Sequence, residues 1–338
     1  MKGFPQVAVL PMRVLVTGGT GFVGSNLARA LVDRGHEVRI LRRERSDLRA
    51  LGTLAVEHAI GDVRDFESVQ RAVEGCAIVY HTAAMVSYWR KQRQEMFTIN
   101  IEGTRNVVRA CLRQNVQKLI HTSSIAAIGH TTDGSLADET TPFNWDRYDI
   151  GYRISKYRSE QVVLEGVQNG LFAVMVNPSV ILGPGDIHFH GGQIIRDVRK
   201  RRLFYYVDGG TNLVSVDDVV RGHLAAAERG RIGERYILSG ENLTHRAMLT
   251  IVAEVVGGIR PVVRLPRPFV RLLATTSEVI GNLTNRKPWI TKELAAGIHL
   301  TSWFSGEKAK RELGYVFTPF RETVVQTYRW YVENGLLT

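Results

Sequence analysis

The sequence predicts an α/β fold: a doubly wound parallel sheet accompanied by a smaller α/β region. Three observations carry that prediction. Short apolar runs alternate with amphipathic stretches from residue 12 to residue 177. The first run ends in clustered glycines that open the first amphipathic stretch. After Pro178 the alternation gives way to glycine-rich loops, so a region of different character begins there.

The elements follow in order. Residues 12–17 (MRVLVT) form a short apolar run ahead of glycines and predict a buried strand. Residues 22–34 place Val23, Leu27, Ala30 and Leu31 at helical spacing, and Gly35 ends that helix. Strands are expected at 37–41, 54–60, 77–81, 118–122 and 172–177, with helices at 66–73, 95–114 and 152–168 between them. Such alternation implies right-handed crossovers and a parallel sheet covered on both faces. Beyond Pro178, Gly183-Pro184-Gly185, Gly191-Gly192 and Gly209-Gly210 mark loops. Residues 212–216 are another apolar stretch, and helices are expected near 217–228, 244–256 and 320–334. The apolar segment 266–280, with Arg267 and Arg271, reads as a packed helix in preference to a membrane-surface segment.

Composition narrows the function classes. The 338 residues are 44% apolar and 23% charged, which excludes a disordered or collagen-like chain. No apolar run is long enough for a membrane span. Residues 1–11 are too short and too broken by Pro5 and Pro11 for a signal peptide and read as a loose extension. Cys76 and Cys111 show neither a CxxC nor a zinc-ligand pattern, which fits a reducing cytoplasm and no metal site. The net charge of +11 comes mainly from arginine, 35 against 9 lysines, spread along the chain. The densest runs are Arg42-Arg43-Glu44-Arg45 and Arg199-Lys200-Arg201-Arg202. Diffuse arginine of this kind reads as solvated surface, not a nucleic-acid footprint.

Four motifs carry chemistry. Thr17-Gly18-Gly19-Thr20-Gly21-Phe22-Val23-Gly24 lies between the first strand and the first helix. Glycines at 18, 21 and 24 let backbone N–H groups approach a pyrophosphate at the helix N-terminus, and they make the first unit a Rossmann-type, dinucleotide-binding one. The second strand runs into Arg42 and Arg43, where a carboxylate would serve the ribose diol of NAD(H). Guanidinium groups there suit the 2′-phosphate of NADP(H), unless the run is simply solvated. In Gly61-Asp62-Val63, Asp62 either receives the adenine amino group or caps the helix that starts near Phe66. Tyr152-Arg153-Ile154-Ser155-Lys156 puts Tyr152 and Lys156 on one helical face, where a lysine ammonium lowers the phenol pKa and readies it for acid–base work. His121-Thr122-Ser123-Ser124 ends the fifth strand, at the carboxyl edge where open sheets bind ligands. A serine there holds a reacting oxygen or satisfies loop backbone.

Together these residues resemble the extended short-chain dehydrogenase/reductase family from Met12 to the C-terminus. His81-Thr82-Ala83-Ala84 resembles its cofactor-lining H-x-A-A stretch, and Asn100-Ile101-Glu102-Gly103-Thr104 resembles its N-V-x-G-T segment. Asn177-Pro178-Ser179-Val180 resembles the segment that wraps the nicotinamide; Val216-Asp217-Asp218-Val219 and Glu312-Leu313-Gly314-Tyr315 resemble two later signatures. Within the family the chain resembles dihydroflavonol 4-reductase-like enzymes and hopanoid-associated sugar epimerases. The resemblance implies Ser124 as catalytic serine, Tyr152 as proton donor, Lys156 as its activator and ribose ligand, and Asn100 completing the set. It implies a dinucleotide-binding domain over 12–178 with returning segments at about 212–240, and a mainly substrate-binding region over 179–211 and 241–338. It also implies a substrate wall at Met85, Val86, Tyr88 and Trp89, and a two-fold homodimer through the helices at 95–114 and 152–168, each with an exposed apolar stripe.

The expected function is hydride transfer between NADP(H), or NAD(H), and the carbonyl or alcohol carbon of a small molecule. A nucleotide-sugar epimerase would use the same residues, with the run Arg196–Arg202 holding the diphosphate. A dehydratase is disfavoured because related dehydratases place an acidic pair after the serine, where this chain has Ile125-Ala126. A non-catalytic dinucleotide sensor is the third reading. Leu203-Phe204-Tyr205-Tyr206 is expected to line an apolar substrate cavity.

Overall fold

The computed structural model describes residues 11–337, so the extension expected over residues 1–11 lies, for residues 1–10, outside the described residues. The chain first builds β1 (Arg13–Thr17), α1 (Phe22–Asp33), β2 (Glu37–Arg42), β3 (Glu57–Ile60), α2 (Phe66–Val73) and β4 (Ile78–His81). Then come α3 (Arg93–Phe97), α4 (Gly103–Arg113), β5 (Lys118–Thr122), α5 (Gly151–Gln168) and β6 (Ala173–Pro178). The second part contains β7 (Val180–Leu182), α6 (Gln193–Arg199), β8 (Tyr205–Tyr206), β9 (Gly210–Ser215), α7 (Val216–Arg229) and β10 (Arg235–Leu238). It continues through β11 (Glu241–Thr244), α8 (His245–Val256), β12 (Val263–Arg264), α9 (Arg267–Thr284), α10 (Lys292–Gly297), α11 (Glu307–Leu313) and α12 (Phe320–Glu333).

Seven strands form one parallel sheet in the order β10-β6-β5-β4-β1-β2-β3. The reversal of direction lies at β1 and β4, where Val14 stands opposite both Val38 and Ile78. Alternate residues of β1 serve opposite faces: Val14 and Val16 pack with Leu27 of α1, Leu224 of α7 and Leu313 of α11. Leu15 packs with Val69 of α2, Val107 of α4 and Val163 of α5 on the other side. With helices on both faces, all of Val14–Thr17 is buried, which is why the strand reads as a continuous apolar run.

The helix expected at 95–114 is divided by a π turn at Thr98–Glu102, which widens the backbone where Asn100 sits. Of the stretch expected to return to the first sheet, only β10 joins it, beside β6. The apolar run at 212–216 falls in β9 up to Ser215, with Val216 opening α7; β9 is the centre of a second sheet with β11 antiparallel and β7 parallel to it. A third core under that sheet gathers Ile195 and Val198 of α6, Leu249 and Val252 of α8, and Phe320 and Val324 of α12.

The exposed apolar stripes expected on the two long helices are absent: no large apolar residue of α3, α4 or α5 is exposed. Between them lies a shallow groove edged by Glu102, Arg105, Arg158 and Glu165. Phe97 is half-buried there, with the Arg93 and Arg158 guanidinium groups 5.3 and 5.8 Å from its ring centre.

Candidate active site

The glycine turn is shaped by close backbone approach. Gly18 has φ +69°, and a Cβ on it would lie 2.8 Å from the Ala83 backbone. A Cβ on Gly24 would run into the Gly18 carbonyl oxygen and come within 2.8 Å of Thr82 Oγ1. Gly21 N–H donates to the Gly18 carbonyl at 2.9 Å, closing the turn. Thr17 ties this turn to the loop after β4: its carbonyl accepts from Thr82 Oγ1 at 2.7 Å and its Oγ1 accepts from Ala83 N–H at 3.3 Å. Thr17 Oγ1 also bonds His81 Nδ1 at 2.7 Å. No side chain caps α1, so its first N–H groups stay open to the cavity that Gly18, Gly21, Phe22, Val23 and Gly24 line with Thr82 and Ala84. Thr20 and Ala83 are not part of this lining.

The ends of β2 and β3 lie outside that cavity. Arg42 is pinned, its Nε donating to His58 Nδ1 at 3.0 Å and its Nη1 to the carbonyls of Arg43 and Glu44 at 3.2 and 3.1 Å. Arg43 is exposed and close enough to Asp62 to help lower its pKa, after the dominant hydrogen bonds from Arg64. Asp62 is ion-paired with Arg64 at 2.7 Å. It does not cap α2: Asp65 does, accepting from Glu67 N–H at 3.2 Å. The Val63 carbonyl accepts from Asn106 at 2.9 Å, and its side chain sits where a Cβ on Gly103 would press.

Ser124, Tyr152 and Lys156 come together in one cavity of about 510 Å³, with Thr122, Pro178, Ser179 and Val180 in its wall. The Ser124 carbonyl accepts from Asn177 Nδ2 at 3.0 Å, and Ser124 Oγ accepts from Ala126 N–H at 3.1 Å. Ser124 also opposes the rise in the Tyr152 pKa. Lys156 is buried, and its Nζ donates to the Thr122 carbonyl at 2.9 Å. Burial pulls the Lys156 pKa down to about 8, against a smaller opposing pull from Glu160.

The lowered tyrosine pKa expected from the Tyr152–Lys156 spacing is not what this arrangement produces. Burial, with a smaller push from the neighbouring Tyr88 phenol, carries Tyr152 well up; Ser124 and Arg153 oppose that without overcoming it. The Lys156 charge also bears on two buried histidines, His81 and His121. His81 is pulled down to about 3 and His121 well below its ordinary range, chiefly by burial, so both are neutral.

Asn100 does not reach the cavity. From the π turn, its Oδ1 accepts from Met85 N–H at 2.8 Å, and its Nδ2 donates to the Met85 carbonyl and Ser155 Oγ, both at 2.9 Å. It clamps the loop after β4 to α5.

Of the expected substrate wall, Tyr88 lines the cavity, its ring edge-on to Tyr152 with centroids 5.7 Å apart. Val86 lines it too. Met85 is held at its backbone by Asn100, and Trp89 points away, Nε1 donating to Asn282 Oδ1 of α9 at 3.1 Å. Alternation within an extended loop explains this: two neighbours cannot face one side. Neither the run 196–202 nor residues 203–206 line the cavity. Arg196 pairs with Asp197 at 3.0 Å, while Leu203 and Tyr206 pack on the third core.

Sequence reasoning missed several lining groups: Arg153 beside Tyr152, and Glu293, His190 and His245 from distant segments. Arg153 stands 3.5 Å over the Trp145 ring, and its Nη1 is buried without a partner. Its position next to Tyr152 was the only sequence signal. Glu293 arrives from α10 to accept from Gly151 N–H at 2.9 Å, and burial raises its pKa. Nothing in its local sequence marks it.

Residues 14–239 match the NAD dependent epimerase/dehydratase family. The chain belongs to that family. It is 34% identical to a putative dihydroflavonol 4-reductase of Synechocystis sp. over 95% of this chain and 94% of that one. It is also 34% identical to sterol demethylase protein B of Methylococcus capsulatus, over 96% and 100%. A nucleoside-diphosphate-sugar epimerase from Pseudomonas aeruginosa superposes with a TM-score of 0.80 at 27% identity, covering 97% of this chain and 99% of that one. These relationships make the protein an NAD(P)-dependent enzyme of the oxidoreductase/epimerase type with the extended short-chain dehydrogenase/reductase fold.

Proposed function

We propose that this family member is a reductase that transfers a hydride between NADP(H) and the carbonyl or alcohol carbon of a largely apolar small molecule. The convergence of the glycine turn, Ser124, Tyr152 and Lys156 on one cavity carries this reading. The dinucleotide fits the residues present. Gly18 and Gly24 leave no room for a Cβ, the α1 N-terminus is uncapped, and the buried hydroxyls of Ser123 and Ser179 have no partner. Gly18, Gly21–Gly24, Ala84, Lys156 and Pro178–Val180 would hold it; when bound, it supplies the hydride.

In the reductive direction the carbonyl carbon gains that hydride, and its oxygen gains a proton from the Tyr152 phenol. Burial keeps that phenol protonated, which suits a proton donor. Ser124 holds the reacting oxygen. The Lys156 ammonium offsets the phenolate left behind, and its Thr122 bond fixes where the charge sits.

Val86, Tyr88, Ile150, Leu294 and Ile298 give the cavity apolar walls, and the family members named for a dihydroflavonol and a sterol fit a flat apolar substrate. The epimerase reading is supported by the family and by the Pseudomonas structure. A sugar diphosphate needs fixed cations, and the run 196–202 stands away from the cavity. Arg42 and Arg43, with no carboxylate in their place, favour NADP(H). Two free buried cysteines suit the cytoplasm. A homodimer through α4 and α5 would close on polar groups, and light scattering at micromolar concentration reads whether it forms.

Tyr152→Phe is the deciding variant. It should lose roughly 10²–10⁴-fold in carbonyl reduction while binding dinucleotide as the parent does. Retention of more than about a tenth of the rate refutes Tyr152 as the acid. Epimerised UDP-hexose without net NADPH use would overturn the reductase reading, and absence of turnover across aromatic ketones, aldehydes and UDP-hexoses would favour the sensor.

A further inference from the structure

We propose that α9 and the segments flanking it dock on the surface of an anionic lipid bilayer. The helix has two apolar faces where a packed helix needs one. Val270, Ala274, Ser277 and Gly281 are buried, and Val270 and Ala274 share a small core with Ala295 of the α10 region. The other face carries Phe269, Leu272, Val279, Ile280 and Leu283 at helical spacing, all exposed, and Trp289 extends the patch beyond the helix. Leu283 is 82% exposed, Trp289 67% and Leu272 63%, so these are whole side chains in solvent, not the margins of a packed surface.

The charge around this face selects the occupant. Residues 257–291 carry Arg260, Arg264, Arg267, Arg271, Arg286 and Lys287 against a single carboxylate, Glu278. Glu278 is buried and accepts from Lys292 N–H at 2.9 Å. Arg260 and Arg264 are paired with Glu254 and Asp208. Arg267, Arg271, Arg286 and Lys287 are exposed and form no ion pair among the described residues. A second copy of the chain related by a two-fold axis would bring this cationic patch against itself. An anionic headgroup layer instead meets the cations while its acyl boundary takes the apolar side chains. No helix among the described residues is long and apolar enough to cross a membrane, so the contact is with the surface.

The docking face and the candidate active site share a wall. α10 packs on α9, and its Leu294 and Gly297, with Ile298, line the cavity. Asn282 of α9 holds the loop after β4 through Trp89 Nε1 at 3.1 Å and Lys91 Nζ at 3.0 Å. If the apolar-carbonyl reading above holds, this places the cavity beside the phase in which such a substrate dissolves. The docking itself needs no turnover.

Sedimentation with vesicles of phosphatidylcholine, alone or with about a third phosphatidylglycerol, tests the proposal. The full-length protein should pellet with the mixed vesicles at low salt, bind phosphatidylcholine alone far more weakly, and lose affinity as salt rises. Leu272→Ser with Leu283→Ser should weaken binding at least ten-fold. Arg271→Gln with Arg286→Gln should weaken it about five-fold per charge removed. Both variants should keep the parent's melting temperature and its affinity for dinucleotide, which separates lost docking from lost folding. Absence of binding to anionic vesicles, or binding that both variants leave unchanged, overturns the proposal. So does a concentration-dependent dimer that the leucine variant abolishes, since the face would then belong to a second copy.

Discussion

Replacing Lys156 with methionine should change how stability depends on pH, and the size of that change follows from where the lysine sits. Burial brings its pKa from 10.5 to about 8 in the folded chain. That places a penalty of about 3 kcal/mol on the charged form. Below pH 8 both folded and unfolded chains carry the proton, and the penalty is fully felt. Between 8 and 10.5 the unfolded chain holds more protons than the folded one, so stability rises with pH. Across pH 8 to 9.5 the gain from this one group is roughly 1–2 kcal/mol. Tyrosines with raised pKa values, including Tyr152, act in the opposite direction, but only near and above pH 10, outside that window. Urea denaturation of the cofactor-free protein at pH 8.0 and 9.5, for parent and Lys156→Met, isolates the lysine as a difference of differences. The parent should gain roughly 1–2 kcal/mol more than the variant. Parallel pH dependence in the two proteins would refute the depressed lysine. Carbonyl reduction by the variant should fall steeply at every pH, because the phenolate would lose its compensating charge.

Gly24→Ala should lower the melting temperature by several degrees, because overpacking costs about 1–3 kcal/mol and the new methyl meets the Gly18 carbonyl and Thr82. Dinucleotide affinity should fall with it, and calorimetric titration showing parental affinity would refute the turn as the phosphate cradle. Asn100→Ala leaves the Met85 N–H and carbonyl without partners and should cost about 1–3 kcal/mol in urea denaturation. It should raise KM more than it lowers kcat, because the clamp positions the Val86–Tyr88 wall and does not touch reacting atoms. Arg43→Ala should weaken NADPH binding about ten-fold and leave NADH binding unchanged; equal NADPH and NADH affinity in the parent would remove the NADP(H) preference.

The main sheet was readable because both of its faces are covered. Val14–Thr17 and Ile78–His81 are buried without alternation, and such runs stand out between amphipathic helices. β10 was not readable as a strand. It is four residues long, stands at the sheet edge beyond β6, and takes its place only because β6 offers a parallel partner 60 residues away in the chain, Leu238 opposite Pro178. The π turn at Thr98–Glu102 was equally silent, since its apolar spacing passes for an ordinary helix. The absent dimer stripe has a simple cause. Spacing shows that α4 and α5 each have an apolar face, but those faces pack on the sheet and on each other, through Val107, Val108, Val162 and Val163.

The candidate site divides along the same line. Gly18, Gly24, Tyr152 and Lys156 were legible because each function needs a local geometry: a turn too tight for a Cβ, or two side chains one helical turn apart. What the spacing could not supply was the electrostatics. The i, i+4 pair suggested a phenol with a lowered pKa. In the fold, burial dominates both partners, raising Tyr152 and lowering Lys156. Desolvation depends on everything packed around the pair: Tyr88 from the loop after β4, Ile150 ahead of α5, and Leu294 and Ile298 from the α10 region. None of these is near the motif in sequence except Ile150. Trp89 failed as a wall residue for a related reason. A loop beside a cavity must also be held from behind, and its largest side chain serves that purpose, reaching Asn282 on α9. The same helix that receives Trp89 carries the exposed leucines, so α9 supports the loop of the Tyr88 wall from behind through the Trp89–Asn282 hydrogen bond.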